Sequence, residues 1–248
     1  MTKFPDPGFH FTEGEVLLFD KPLNWTSFDV VRKIRASIRR FLDTKKIKVG
    51  HAGTLDPKAT GLLIVCTGKK TKEIEKFQAG EKEYIADILL GATTPSFDTE
   101  TVVDKEYPTD HITANLIDEV LKSFIGKQEQ VPPAFSAKRV NGQRAYKKAR
   151  KGIDIELKPS VIEIKEIEIL KFSLPELKIR IRCGKGTYIR ALARDIGERL
   201  KSGGYLIGLR RTIIGEFMVN DAMSIDDFKA RIDSLEKIKD NNIVSHSK

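Results

Sequence analysis

Two segments with alternating side chains place the strongest constraint on the fold of this chain. Residues 161–170 and 177–183 alternate apolar with charged side chains over most of their length. An alternation with a period of two puts apolar side chains on one face of a β-strand and charged ones on the other. We therefore expect two half-exposed strands, paired antiparallel through a turn at residues 173–175.

The rest of the chain mixes strand-like runs with helical patterns and shows no regular βαβ period. This mixture predicts an α+β fold, with a central mixed or antiparallel sheet flanked by helices and loops. The clearest helix begins after Thr26, which forms a variant of the capping box with Asp29. The other expected elements are strands at residues 15–19, 62–67, 84–90 and 205–219, helices at residues 71–77, 113–124 and 187–200, and a short helix with a polar end beyond residue 224.

The composition favours a globular protein of the cytoplasm. Apolar residues make up 40% of the 248 residues and charged residues 32%, which is outside the disordered range. Apolar runs fall far short of the ~20 residues that span a bilayer, and the N-terminus lacks the apolar region of a signal peptide. Cys66 and Cys183 are expected in the core, and four scattered histidines offer no metal-ligand spacing, so we predict neither a metal nor a disulfide.

Residues 48–61, KVGHAGTLDPKATG, combine three glycines and a proline without a hydrophobic period, so we expect a loop. Its glycines allow a close approach of the backbone to a ligand, and it holds the carboxylate of Asp56 beside a proline. A structural Asp-Pro turn explains the same pattern about as well. A lone carboxylate here does not fit the acid–base pair of a glycosidase and suits a nucleophile better.

A second glycine-rich segment, residues 183–190, leads from a strand into a helix. It lacks the spacing of a phosphate-binding loop, because Gly186 is followed by Thr187 and not by lysine. What remains is a helix N-terminus that favours an anion, with Arg190 in its first turn. Arg190 can pair with Asp56, contact a phosphate, or be surface charge.

Residues 130–152 form a basic arm, which accounts for much of the formal net charge of +9. The arm carries seven cations and no acidic residue, with Phe135 and Tyr146 among them. Cations that neutralise phosphates and aromatic rings that stack on bases are what RNA recognition requires, so nucleic acid is the expected partner. The cations of the arm are Lys138, Arg139, Arg144, Lys147, Lys148, Arg150 and Lys151.

Several motifs in order resemble the TruB family of tRNA pseudouridine synthases over residues 13–223. They are GHAGTLDPKATGLL at residues 50–63, Asp20-Lys21-Pro22, Glu83-Tyr84, Pro132-Pro133 before Ser136-Ala137, and GTYIR at residues 186–190. The resemblance implies the pseudouridine synthase fold and an isomerase that converts uridine-55 in the T loop of tRNA to pseudouridine. It implies no cofactor and no metal.

The resemblance also assigns site residues, motif by motif. Asp56 matches the catalytic nucleophile, and His51 matches the residue that replaces the flipped base in the RNA stack. Tyr84 matches the aromatic residue that stacks on the target base. The remaining matches are Tyr188 and Arg190 in the active site, Leu209 in the uracil pocket, Lys21 and Pro22 in a supporting basic loop, and residues 130–152 as the segment that clamps the T arm.

These residue types suit the chemistry. Extruding a stacked uracil costs a few kcal/mol, which a side chain that fills the gap lowers. Asp56 can attack C6 of the base, attack C1′ of the sugar, or remove a sugar proton; the residues do not choose among these routes. Tyr84 or water can take the final proton from C5. A non-catalytic RNA-binding chaperone, or a synthase for another RNA, remains the alternative.

The expected organisation is a flexible lead-in at residues 1–12, a catalytic domain at 13–230 with the arm inserted, and a polar tail at 231–248. Longer members of the family carry a C-terminal PUA-type RNA-binding domain, for which the roughly 25 residues after Met223 are too few. We therefore expect a stand-alone monomer that needs no protein partner. Arg210 and Arg211 are expected to share in the RNA contact.

Overall fold

The computed structural model of the chain describes residues 9–136, 138–140, 143–146, 153 and 157–245. The strands are β1 Val16–Lys21, β2 Val49–Ala52, β3 Ala59–Thr67, β4 Lys82–Leu90, β5 Ala92–Thr93, β6 Lys105–Glu106, β7 Gly126–Gln130, β8 Arg139–Val140, β9 Gln143–Arg144, β10 Ser160–Ser173, β11 Glu176–Cys183, β12 Gly204–Ile214 and β13 Phe217–Met218. The helices are α1 Ser27–Phe41, α2 Ile74–Ala79, α3 Ala114–Lys122, α4 Ile189–Arg199 and α5 Ile225–Ser245, with 3₁₀ turns at Gly68–Glu73 and Val219–Asp221.

The chain forms two compact units, the first from Met1–Gly80 with Arg211–Lys248 and the second from Glu81–Arg210. In the first unit, β3 pairs antiparallel with β1 on one side, so that Val16 lies opposite Cys66. Strand β2 pairs antiparallel with β3 as well, with Val49 opposite Thr67. The final residues of β12 continue the sheet beyond β3 and turn into β13.

Helices α1 and α5 help to cover the core of the first unit. Phe11, Phe19, Ile34 and Phe228 are fully buried there, and the Phe19 and Phe228 rings meet edge to face at 5.4 Å. The helix predicted after Thr26 is confirmed: the Thr26 hydroxyl accepts a hydrogen bond from the Asp29 N–H, and the Asp29 carboxylate accepts one from the Thr26 N–H. The reciprocal pair satisfies donors that the first helical turn leaves open.

The second unit is built on a sheet in the order β12-β4-β11-β10-β7, in which β4, β11, β10 and β7 pair antiparallel with their neighbours in this series. The predicted hairpin is confirmed, because β10 and β11 pair antiparallel with Ser173 opposite Glu176 and Ile167 opposite Ile181. On its exposed face Arg180 donates to Glu83, Glu166 and Glu168. With helices packed beside such a sheet, the predicted α+β class is confirmed.

The structure differs from the expected elements at several places. Residues 49–52 are strand, not loop, because β3 offers them a partner; 59–61 belong to β3. Helix α4 begins at Ile189, two residues later than expected. Helix α5 extends to Ser245, so the expected short helix and polar tail give way to 21 helical residues.

The expected lead-in also differs in its last residues, since Phe9 and Phe11 are buried and stacked on each other at 4.6 Å. Both cysteines are buried and unpaired, as expected. Among the described residues, we find no helix with the length and apolar character needed to cross a membrane.

Candidate active site

The loop that carries Asp56 connects β2 to β3 in the first unit. Gly53 and Gly61 take positive φ angles of 94° and 103° on either side of it. Ser27, the first residue of α1, holds the loop from below: the Leu55 N–H donates to the Ser27 hydroxyl at 2.8 Å, and that hydroxyl donates to the Leu55 carbonyl at 3.2 Å. The side chain of Asp56 is therefore presented, half-buried, from a loop anchored on a helix.

Arg211 fastens the two flanks of this loop. Its guanidinium donates to the Leu62 carbonyl at 2.8 Å and to the Gly53 carbonyl at 3.1 Å, and only 1% of the residue is exposed. A Cβ on Gly61 would lie 2.2 Å from the Arg211 carbonyl oxygen, so this position requires glycine. The expectation that Arg211 shares in RNA contact is wrong, because its guanidinium is buried and hydrogen-bonded to backbone carbonyls.

Sequence reasoning missed Arg211 as a residue that positions the loop. The signal available was its place in an expected strand, two residues before the apolar pair Ile213 and Ile214. A paired strand residue points either inward or outward, and the sequence around residue 211 does not decide which.

Lys21 is a second fully buried cation of this unit. Its ammonium donates to the carbonyls of Pro22 at 2.9 Å and Trp25 at 2.7 Å. Burial lowers the pKa of Lys21 to about 8, while the negative charge of Asp56 opposes that shift and the positive charge of Arg211 adds to it. Lys21 thus lies close enough to Asp56 to interact with its charge. The neighbouring Pro22 is exposed to solvent.

His51 lies in β2, opposite Val65 of β3, and is half-buried. Burial is the main cause that lowers its pKa, and the charge of Arg211 lowers it further, against a hydrogen bond with the Gly53 backbone. Both leading causes favour the neutral imidazole at neutral pH. An imidazole ring can stack on an RNA base, as other aromatic side chains do.

In the second unit Arg190 is 4% exposed, on the first turn of α4. It donates to the carbonyls of Ser96 at 3.1 Å and Phe135 at 2.8 Å, and its Nε lies 3.6 Å from a carboxylate oxygen of Asp98. Of the alternatives for Arg190, surface charge is therefore wrong. Its predicted pairing with Asp56 stays a prediction.

The aromatic candidates lie in this same unit. Tyr84 is 8% exposed on β4, opposite Ile181 of β11. Tyr188 precedes α4 and is fixed by Gln130, whose amide accepts from the Tyr188 N–H at 2.8 Å and donates to its carbonyl at 3.1 Å. Leu209 is half-buried in β12.

The described part of the basic arm is anchored at its base. Strands β8 and β9 form a short antiparallel pair, and the Tyr146 N–H donates to the Ser136 carbonyl at 3.0 Å. The Lys138 ammonium donates to the Lys158 carbonyl at 3.0 Å. Of the predicted arm residues, Lys147, Lys148, Arg150 and Lys151 lie outside the described residues, and Arg139 and Arg144 are described by their backbone alone.

The first unit thus brings together Lys21, His51 and Asp56 around Arg211, and the second unit holds Tyr84, Tyr188, Arg190 and Leu209. Within the described part of the chain, no three side chains of His, Cys, Asp or Glu gather in a way that could hold a metal ion. The chemistry available to the first unit is therefore that of an anchored carboxylate near buried cations. Such a group can act as a nucleophile or a base.

Comparison with known proteins gives a consistent result. Residues 39–189 match a sequence profile described as the TruB family pseudouridylate synthase, N-terminal domain. The chain is 61% identical to tRNA pseudouridine synthase B of Phocaeicola vulgatus, over 92% of this chain and 97% of that protein. It is 49% identical to the protein of the same name from Flavobacterium johnsoniae, over 88% and 96% of the two chains.

Solved structures share the fold. A chain from a crystal structure of a Cbf5-Nop10-Gar1 complex matches with a TM-score of 0.66 and 28% identity, over 93% of this chain and 60% of that one. A chain from an H/ACA RNP bound to a substrate RNA containing 2′-deoxyuridine matches with a TM-score of 0.63 and 27% identity, over 89% and 54%. The chain therefore spans less than two thirds of the length of these two solved chains.

Proposed function

The chain belongs to the TruB family of pseudouridylate synthases, and on that premise we propose that it isomerises uridine-55 in the T loop of tRNA to pseudouridine. In this reaction the N1–C1′ bond of the nucleotide breaks and a C5–C1′ bond forms. The base loses the proton on C5 and gains one on N1. Relatives at 49–61% identity that bear the name tRNA pseudouridine synthase B support tRNA as the substrate.

The anchored carboxylate of Asp56 is the observation that carries the proposal. Its loop is fastened at Gly53 and Leu62 by Arg211, and Lys21 places a buried positive charge within its field. A binding module has no need of a carboxylate set among cations where an anionic RNA must approach. A nucleophile needs this arrangement, because a fixed and ionised carboxylate reacts without first reorganising.

The other candidates take roles that follow from their chemistry. The neutral ring of His51 fills the gap left by the extruded base, which offsets part of the few kcal/mol that unstacking costs. Tyr84 supplies a stacking platform, typically about 1–3 kcal/mol for one base. Tyr188 and Leu209 enclose the uracil while it turns.

Arg190 pairs with Asp56 in this proposal and keeps its carboxylate ionised and oriented. The three routes open to Asp56, through C6, through C1′ or through a sugar proton, all need that ionised form. Tyr84 or water accepts the C5 proton at the end. The enzyme needs no cofactor or metal for any of these steps.

The basic arm, residues 130–152, clamps the T arm of the tRNA. The loop of Lys21 and Pro22 supports the active site. The catalytic domain spans residues 13–230 and acts as a monomer in the cytoplasm, without a protein partner. Light scattering of the purified protein, alone and with tRNA, tests the monomer. A larger protein species would contradict it.

Tritium release from tRNA labelled at uridine C5 tests the reaction. We expect release by the wild-type protein and none by Asp56→Asn, which keeps the shape of the side chain and removes its charge. Release by both proteins would contradict the role of Asp56. Release by neither, with tight tRNA binding, would favour the RNA-binding chaperone.

A tRNA transcript with cytidine in place of uridine-55 tests the site. We expect tritium release to disappear with this transcript, although other labelled uridines remain. Release that persists would point to another position or another RNA.

A further inference from the structure

A shallow depression on the surface of the first unit lies beside the loop that carries Asp56, and we call it the α1 hollow. It is formed by the residues that enter α1 and by one face of that helix. Positions 29, 32, 33 and 36 share this face because residues three or four apart are neighbours on a helix. The lining residues are Asn24, Trp25, Asp29, Arg32, Lys33 and Ala36.

The α1 hollow is joined directly to the candidate catalytic loop. The Asn24 N–H donates to the Pro57 carbonyl at 2.8 Å, and the Lys58 ammonium donates to the Asn24 side-chain oxygen at 3.2 Å. Asn24 itself takes a positive φ of 64° at this point. An RNA that delivers a uridine to Asp56 must therefore pass close to the edge of the hollow.

The segment that begins at the α1 hollow is strongly positive. Residues 32–48 contain eight lysines and arginines and one acid, Asp43, a net charge of +7 that equals the charge of the basic arm. Of these cations, Arg32 and Lys33 line the hollow itself. Lys33 is exposed, and among the described residues no carboxylate pairs with it. Arg40, near the far end of the helix, is by contrast held by Asp233 and Glu236 of α5.

The one acid in the α1 hollow is already engaged. Asp29 caps the helix through Thr26, and its pair with Arg32 at 3.0 Å leaves the Arg32 side chain 73% exposed. Exposed pairs of this kind contribute little energy, so the guanidinium of Arg32 can turn to a phosphate at small cost. Arg32 and Lys33 thus present two charges to an incoming anion.

Trp25 gives the α1 hollow an aromatic wall. It is half-buried and packs against the core, which restricts the motion of its ring, and Phe28, three residues later in the chain, is 59% exposed. Cations beside a fixed aromatic ring are the surface that a sugar–phosphate backbone with an accessible base requires.

We propose that the α1 hollow binds the sugar–phosphate backbone of the substrate tRNA, on the strand next to the target uridine. The inference rests on the proposed function, since that function makes RNA the polyanion that reaches Asp56. Arg32 and Lys33 each contact a phosphate, and the small side chain of Ala36 leaves room for the strand.

The test compares two double variants that remove the same charge from the same segment. Arg32→Gln with Lys33→Gln removes both cations of the α1 hollow, whereas Lys45→Gln with Lys46→Gln removes two exposed cations beyond the other end of α1. From Lys33 to the end of α1 at Phe41 the helix rises about 12 Å, at about 1.5 Å per residue, and Lys45 and Lys46 follow beyond that end.

We expect the hollow variant to raise the Kd for unmodified tRNA about tenfold at low salt. The slope of log affinity against log salt should become shallower by about 1.4–1.8, since each phosphate contact contributes about 0.7–0.9. The control variant should change the Kd less than twofold. A second variant, Ala36→Glu, keeps every cation and adds a carboxylate to the floor; it should weaken binding in the same direction.

Equal Kd values and equal salt slopes for the hollow and control variants would overturn the inference, as would wild-type binding by Ala36→Glu. Failure of the proposed function has a different signature. In that case the wild-type protein would release no tritium from tRNA labelled at uridine C5, whatever the binding results.

Discussion

Two buried cations, Arg211 and Lys21, surround the loop of Asp56 and are each satisfied by two backbone carbonyls. A charged side chain out of water is costly unless hydrogen bonds and an opposite charge compensate it. Here the carbonyls belong to the segments that must stay in place around Asp56. The same contacts therefore stabilise the unit and position its candidate nucleophile.

Arg211→Met should remove the fastening of the loop while filling a similar volume. We expect the free energy of unfolding to fall by about 3 kcal/mol, because buried carbonyls lose their charged donors. For the folded fraction, kcat should fall at least about tenfold with little change in KM, since a displaced nucleophile impairs chemistry more than binding. Urea unfolding and steady-state tritium release measure the two effects.

Arg182→Met, at an arginine whose side chain is 46% exposed, is the control and should change the free energy of unfolding by less than about 0.5 kcal/mol. Arg211→Lys retains a charge without the planar fork and should recover part of kcat. A wild-type kcat for Arg211→Met would contradict the positioning role.

Lys21 should make the stability of the protein depend on pH in the alkaline range. Its pKa is lowered to about 8 from 10.5, so between these values the unfolded chain binds a proton that the folded protein does not. Stability then rises with pH across this window, by up to roughly 3 kcal/mol at 1.36 kcal/mol per pKa unit. The comparison is the denaturant midpoint of wild type and Lys21→Met from pH 7 to 10.5, and the variant should lack this rise. Parallel curves would contradict the burial of a charged Lys21.

At the scale of elements, the sequence predicted helices and strands best where their contacts are with residues nearby in the chain. Helix α1 was predictable because the cap, the first turn and the apolar face all lie within sixteen residues. The β10–β11 hairpin was predictable because alternation and a short turn specify both the partner and the register. Strand β2 was not, since its residues are strand only through β3, which comes later in the chain.

At Gly61, the start of the apolar part of β3, both the backbone conformation and the packing require glycine. Gly61→Ala adds a Cβ that would meet the Arg211 backbone at 2.2 Å, in addition to the strain of a positive φ. We expect a loss of roughly 3 kcal/mol in the free energy of unfolding. Gly186→Ala is the matched control: its φ of 84° is also positive, but no atom lies within 4 Å of the new Cβ. It should lose only about 1–2 kcal/mol. Equal losses in thermal unfolding would contradict the close packing at Gly61.

At the scale of the whole molecule, the net charge of +9 predicts how RNA affinity responds to salt. Lys147→Gln with Lys148→Gln in the basic arm should weaken tRNA binding and make the salt dependence of log affinity shallower by about 1.4–1.8. Filter binding at several salt concentrations measures both quantities. A slope equal to that of the wild-type protein would show that the arm does not neutralise phosphates.

The sequence by itself determined the α+β class, the capped helix and the hairpin, because these depend on neighbours along the chain. It also contains the motifs that resemble the TruB family, to which the comparisons assign the chain. Only the tertiary structure decided that Arg211 points inward and fastens the flanks of the Asp56 loop, that Lys21 is buried in its field, and that cations of α1 line a hollow beside it. Each of these depends on which segment packs against which, and a side chain's burial is a property of those non-local contacts and not of its place in the sequence.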